Sequence, residues 1–194
     1  MFGEISALSA FLAFLGGLLP ALVWLAFWLF EDKKRPEPRG LIILAFLTGM
    51  IAVAPVLPLQ SFIVQFVPMS FLLILLWAAI EEGMKFILAY ATVLRRHALD
   101  EPIDYPMYLI TVALGFSALE NTLFLLEPVT GGKVSESFIT GDLRFLGATL
   151  IHVLSSAIVG GALAFSFYRE GVLKIWYGAV GIILAITLHA LFNF

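Results

Sequence analysis

Leu72-Leu73-Ile74-Leu75-Leu76-Trp77-Ala78-Ala79-Ile80-Glu81-Glu82-Gly83-Met84-Lys85-Phe86-Ile87-Leu88-Ala89-Tyr90 decides the fold. It has the length and apolar character of a membrane-spanning helix, yet three ionisable side chains, Glu81, Glu82 and Lys85, stand at its middle. An ionised side chain at the centre of a spanning helix costs roughly 2.5–3.5 kcal/mol, so three forgo about 8–10 kcal/mol before pairing. A loss of that size rivals the stability of a whole domain. The three residues must therefore pair, face a wet cavity, or both, and they mark the centre of a functional site.

The rest of the 194-residue chain agrees with a membrane setting. It is 61% hydrophobic and 13% charged, against about 25% charged in soluble domains, and its mean hydropathy is +1.03. An all-α, polytopic membrane helix bundle of about six spans follows, with the lipid bilayer as its surroundings. The net charge of −3 comes with no basic patch that suggests nucleic acid. Without cysteine there is no disulfide, thiolate metal site or cysteine nucleophile. Met1-Phe2-Gly3-Glu4 lacks the basic start of a signal peptide, so the first apolar run is expected to remain as a span.

Six spans are expected at about 5–30, 41–56, 68–94, 105–126, 144–167 and 176–194, in a single domain covering 1–194. Gly16, Gly17 and Pro20 mark a close helix contact or a kink in the first. Pro55 and Pro58 are expected to close the second, with Leu59 to Val67 as a short uncharged connection and Tyr168 to Lys174 as the polar loop before the last span. Lys33, Lys34, Arg35, Arg39, Arg95, Arg96, Arg169 and Lys174 fall in the loops after spans one, three and five; only Lys133 and Arg144 lie on the other side. The positive-inside rule then places both termini outside the cytoplasm. Trp28, Tyr108, Tyr168, Trp176 and Tyr177 lie near the inner boundary, where amphipathic rings are favoured.

With this topology Glu81 lies near the midplane, Glu120 and Asn121 in the outer half of span four, and His152 about 12 Å below the outer end of span five. His189 lies about 8 Å from the end of span six. Four helices thus place ionisable groups in the middle-to-outer layer, and nothing comparable occurs in spans one and two. Lys85 is four residues from Glu81 and three from Glu82, so it can reach either carboxylate while the two acids diverge by about 100°. His152 shares a helix face with Ser155 and Ser156, and His189 with Asn193.

Several readings of this set stand side by side. Glu81, Glu82 and Lys85 can be a compensated cluster that only locks helices together, Asn121 interhelical glue, and Ser156, Ala157, Gly160 and Gly161 close-packing positions. With no Gly-x-Ser-x-Gly or His-Glu-x-x-His pattern, the chemistry that fits is activation of water by a carboxylate, with imidazole and amide N–H groups stabilising the oxyanion. The same side chains suit zinc, with Glu81, Glu120, His152 and His189 as ligands. Lys85 beside the carboxylates opposes a dication and tips the sequence reading to a metal-free glutamate mechanism.

Glu81-Glu82-x-x-Lys85, Phe116-x-x-x-Glu120-Asn121, His152-x-x-Ser155-Ser156 and His189-x-x-Phe192-Asn193, in that order over about 60% of the chain, resemble the PrsW-like intramembrane proteases. These belong to a wider group with type II CAAX prenyl endopeptidases and bacteriocin-processing proteins. The resemblance implies a helical membrane endopeptidase in a prokaryotic cytoplasmic membrane, with Glu81 as the base on water and Glu82 held by Lys85. It assigns His152, His189 and Asn193 to placing water and holding the oxyanion. Lys85 stands one residue earlier than the arginine of the CAAX group, and Glu120 replaces that group's histidine; both departures match the PrsW-like branch. The substrate it implies is a membrane-anchored, single-span protein of the anti-sigma-factor kind, cut near the extracytoplasmic side. Two other functions are set against it: a non-catalytic scaffold using the polar cluster for assembly, and a proton-coupled carrier, which the absence of an internal repeat opposes.

Overall fold

The computed structural model describes residues 7–31, 35–130 and 147–194. They form six helices: α1 (Ala7–Glu31), α2 (Arg39–Val64), α3 (Phe71–Thr92), α4 (Asp104–Thr130), α5 (Thr149–Phe165) and α6 (Gly171–Asn193). There is no strand among the described residues. By length and composition, α1, α2, α4 and α6 can each cross a membrane. α3 has the length, at 22 residues, but carries the three ionisable side chains at its middle. α5 has 17 residues and follows Ala148, whose φ of −63° and ψ of −42° are already helical. The expected start of the fifth span near Arg144, and Lys33, Lys34 and Lys133 of the charge count, lie outside the described residues.

Helix α4 is the axis of the bundle. It packs on α1, α2, α3 and α5; α2 also touches α3, α3 touches α6, and α6 touches α5. Five helices thus close a ring in the order α2, α3, α6, α5, α4, and α1 lies outside it against α4. Glycine permits the closest of these approaches. A Cβ on Gly49 would overlap the Val112 carbonyl of α4, and one on Gly115 would overlap the Phe46 carbonyl of α2, so the two backbones touch at reciprocal points. Gly17 does the same for α1 against Ala118 and Thr122, the close contact expected of that glycine pair.

Three expectations need correction. Pro55 and Pro58 do not close the second helix, because α2 runs through both to Val64. Proline withholds an N–H and crowds the preceding turn, but within a bundle neighbouring helices and local adjustment accommodate it. The supposed connection from Leu59 is therefore mostly helix. α6 likewise begins at Gly171, whose φ of +62° suits glycine, and so contains Lys174, which lies over the Tyr105 ring at 5.6 Å. Tyr108 does not face the lipid boundary either. It is fully buried, and its hydroxyl donates to Glu37 Oε2 in the segment leading into α2. Tyr168 and Trp176, by contrast, are exposed.

Candidate active site

The inward stripe of α3 reads Ala78, Glu81, Glu82, Lys85 and Ala89, all buried, whereas Ile87 and Tyr90 face outward. This is amphipathicity inverted for a lipid solvent: the polar side chains point into the ring and the large apolar ones out. α4 brings Glu120, α5 brings His152 from its first turn, and α6 brings His189 from its last two turns. α2 adds Gln60.

Lys85 defines the hydrogen-bond directions, because its ammonium can only donate. Its Nζ lies 2.7 Å from Glu82 Oε1 and 3.3 Å from His152 Nδ1. His152 Nδ1 therefore accepts, which puts the ring proton on Nε2, and this donates to Glu120 Oε2 at 2.9 Å. Glu82 Oε1 also lies 2.7 Å from His189 Nδ1. A carboxylate only accepts, so the His189 proton sits on Nδ1, and the opposite nitrogen, Nε2, faces Glu81 Oε2 at 3.6 Å. The two imidazole rings meet edge to face at 4.9 Å, and Phe116 packs on His152 at 5.1 Å. Lys85 lies 5.2 Å from the Phe116 centroid.

The adjacent carboxylates are thus used differently. Glu82 is surrounded by donors and is a fixed counter-charge. Glu81 receives one hydrogen bond, from Gln60 Nε2 to Oε1 at 2.7 Å. Its Oε2 is buried and makes no hydrogen bond within the described residues. An acceptor in that position is costly unless a water, substrate or cation completes it.

Of the eight residues singled out from the sequence, Glu81, Glu82, Lys85, Glu120, His152 and His189 form one connected cluster. Asn121 turns away from it: its amide donates to Ser117 Oγ at 3.2 Å and Thr149 Oγ1 at 3.0 Å, fastening α4 to the first turn of α5. Asn193 is exposed at the final residue of α6. Gln60 was missed, and spans one and two are not both without polar contributions to the site. The signal was present: Ala52, Val56 and Gln60 recur every four residues, and the first two lie in the apolar contact with α3 and Phe116. Continuing that stripe through the prolines points Gln60 at α3.

A divalent cation fits the donor set. Glu81, His152 and His189 each offer one ligand atom, all within 4.8 Å of one another and all buried; His152 uses both ring nitrogens in hydrogen bonds, so it would bind an ion only by giving up Lys85 or Glu120. Two imidazoles and one carboxylate are a known catalytic zinc set with a fourth position left open. The Glu81 Oε2 that lacks a hydrogen-bond donor supplies a free ligand. Lys85, the objection raised from sequence, is matched by Glu82 Oε1.

A ring of membrane helices that buries carboxylates and imidazoles around one under-satisfied acid defines a polar centre within a membrane protein, as intramembrane hydrolases require. The model of the PrsW family intramembrane metalloprotease matches residues 37–194. The chain belongs to that family and is a membrane-embedded peptidase. It is 25% identical over 189 residues to Protease PrsW of Bacillus subtilis (strain 168), covering 92% of this chain and 79% of that one. It is 29% identical over 150 residues to Protease PrsW of Geobacillus kaustophilus (strain HTA426), covering 74% and 62% respectively. The protein of the same name from Shouchella clausii (strain KSM-K16) is 23% identical over 183 residues, 93% of this chain and 81% of that one. No solved structure matches the chain.

Proposed function

We infer that the protein is an intramembrane endopeptidase that hydrolyses a peptide bond of a membrane-anchored, single-span protein of the anti-sigma-factor kind, near the extracytoplasmic side, with Glu81 as the base. The observation that carries the reading is the contrast between Glu82, saturated by Lys85 and His189, and Glu81, whose Oε2 is buried and lacks a donor. A water between that oxygen and His189 Nε2 would lose a proton to Oε2 while its oxygen attacks the scissile carbonyl. The same oxygen then returns the proton to the departing amide nitrogen. Glu82 fixes His189, Lys85 fixes Glu82 and His152, and Glu120 holds the other side of His152, so both rings are oriented before substrate arrives.

The family description and the ligand triad support a second, metal-assisted form, in which Glu81 would be a ligand and not the base. Glu81, His152 and His189 would hold the ion, which when bound makes water more acidic and offsets charge on the oxyanion. The outer-side position rests on loop charges and on what the family resemblance implies, and the termini are extracytoplasmic in the same reading.

The test is cleavage of detergent-solubilised single-span reporters, including one of the anti-sigma type, by purified wild type and Glu81→Gln, read by mass spectrometry. Wild type alone is expected to cut, in the outer third of the span. Stoichiometric zinc in wild type, with chelation stopping cleavage and zinc restoring it, is expected of the metal-assisted form. Equal behaviour of the two folded proteins in partner association, with no cut by either, would favour the scaffold.

A further inference from the structure

We propose that Gln60 is a positioning residue for Glu81: its amide engages Oε1 and so makes Oε2 the oxygen that serves the reaction. The inference rests on the reading of Glu81 as the base. Its ground is independent of the family motifs, since Gln60 lies on α2, before the first of them. The Gln60 Nε2 to Glu81 Oε1 distance is 2.7 Å, and no other hydrogen bond holds either oxygen of this carboxylate within the described residues. A glutamate side chain has three rotatable bonds and two equivalent oxygens. Without a fixed donor the carboxylate rotates and either oxygen can face His189. With Oε1 held by Gln60, Oε2 is directed to His189 Nε2. The neighbouring Glu82 needs no such help, because Lys85 and His189 both converge on its Oε1.

Local structure explains how α2 reaches this place. Ala52, Val53 and Val56 are buried against Phe116, with Ile80, Met84 and Leu88 of α3 packed alongside. Pro55 and Pro58 lie within this part of the helix, and Gln60 follows one turn after Val56 on the same face. Leu57, Leu59 and Phe62 on the flanking faces are exposed, as lipid-facing residues of a spanning helix are. A glutamine in that stripe is partly buried between helices, where its amide needs a partner, and Glu81 is that partner.

Gln60→Met keeps the length and removes the donor; Ser61→Ala, one residue on and bonded only to its own helix at Leu57 O, is the control for disturbance of the helix end. Loss of an outer support of this kind is expected to lower kcat about 10–100-fold. KM should stay within about twofold and the thermal midpoint should fall modestly, as one buried acceptor loses its donor, with Ser61→Ala unchanged in all three. Adding Gln60→Met to Glu81→Gln should slow the residual reaction no further. Independently of any substrate, shifts in thermal midpoint for Gln60→Met, Glu81→Ala and the double variant should be non-additive, as for two side chains in direct contact. Should Gln60→Met not fold, Gln60→Asn, one methylene too short to reach, replaces it with the same expectations. Wild-type kcat in a folded Gln60 variant, or additive midpoint shifts, would overturn the proposal while leaving Glu81 as the base. Full activity in Glu81→Gln would instead overturn the base reading, and the role of Gln60 with it.

Discussion

Acids are buried in two regions of this protein, and in only one of them does a buried carboxylate oxygen lack a donor among the described residues. At the end of the bundle where α2 and α4 begin, Glu37 accepts from the Tyr108 hydroxyl, and Asp104 accepts from the backbone N–H groups of Asp100 and Glu101 at 2.9 and 2.7 Å. Arg35 pairs with Glu101 beside them. Each of these acids has a donor suited to it, and the result is an anchor that fastens the α1–α2 and α3–α4 connections to the same helix. At mid-bundle three carboxylates, two imidazoles and one ammonium share the ring of helices, and Glu81 is left with an oxygen that no donor meets among the described residues. Burial of acids is thus not what marks the candidate active centre. The mark is incomplete satisfaction of one acid beside complete satisfaction of its neighbour.

Glu81→Gln should have the largest effect. It removes the proposed base but keeps the Gln60 contact possible, so kcat should fall about 10²–10⁴-fold, as loss of a general base does. The helical circular dichroism and thermal midpoint should stay at or above wild type, because an under-satisfied acid has been removed. A destabilised Glu81→Gln protein would mean that Glu81 is an anchor after all.

Lys85→Met should do the opposite within the same ring. It strands Glu82 without its cation, and breaking a buried pair costs about 3–5 kcal/mol, to be read by chemical unfolding in detergent. Glu82→Gln together with Lys85→Met removes both charges and should recover most of that loss without recovering activity, since both imidazoles lose a fixed partner.

At the anchoring end, Tyr108→Phe deletes the donor to Glu37 and should lower stability by about 1–3 kcal/mol. Cleavage per folded molecule should be unchanged; a fall in kcat larger than twofold would show that the two regions are coupled. Arg35→Ala is the smallest expected effect. Its side chain is 77% exposed, and surface ion pairs contribute about 0–1 kcal/mol, so both stability and activity should stay close to wild type.

Much of this was legible in the chain. Apolar runs gave the helices because a bilayer leaves the backbone no alternative to internal hydrogen bonds. Ionisable residues at mid-span pointed to the candidate site because their cost in hydrocarbon leaves only pairing or function. Less legible was which side chain does what. Glu81 and Glu82 are adjacent and chemically identical, and helix geometry allows Lys85 to reach either; only His189, arriving from 107 residues away, draws Glu82 into the fixed pair. Asn121 was grouped with Glu120 by adjacency, but neighbours on a helix diverge by about 100°, and it joins Ser117 and Thr149. Tyr108 looked like an interfacial ring, and its partner Glu37 belongs to another loop.

Hydropathy and motif order were enough to read this chain as a helical membrane peptidase of the PrsW kind and to pick out the four helices whose ionisable side chains meet. They could not rank the helices: α4 is the least apolar of the four long spans yet the most buried, because lipid tails and leucine side chains are equally apolar and hydropathy does not distinguish them. The tertiary structure decided that α4 is the axis, that two prolines leave α2 intact so that Gln60 reaches Glu81, and that one of two adjacent acids is saturated while the other is not. Each of these depends on contacts between residues distant in sequence, whose directions are fixed only when the ring of helices closes.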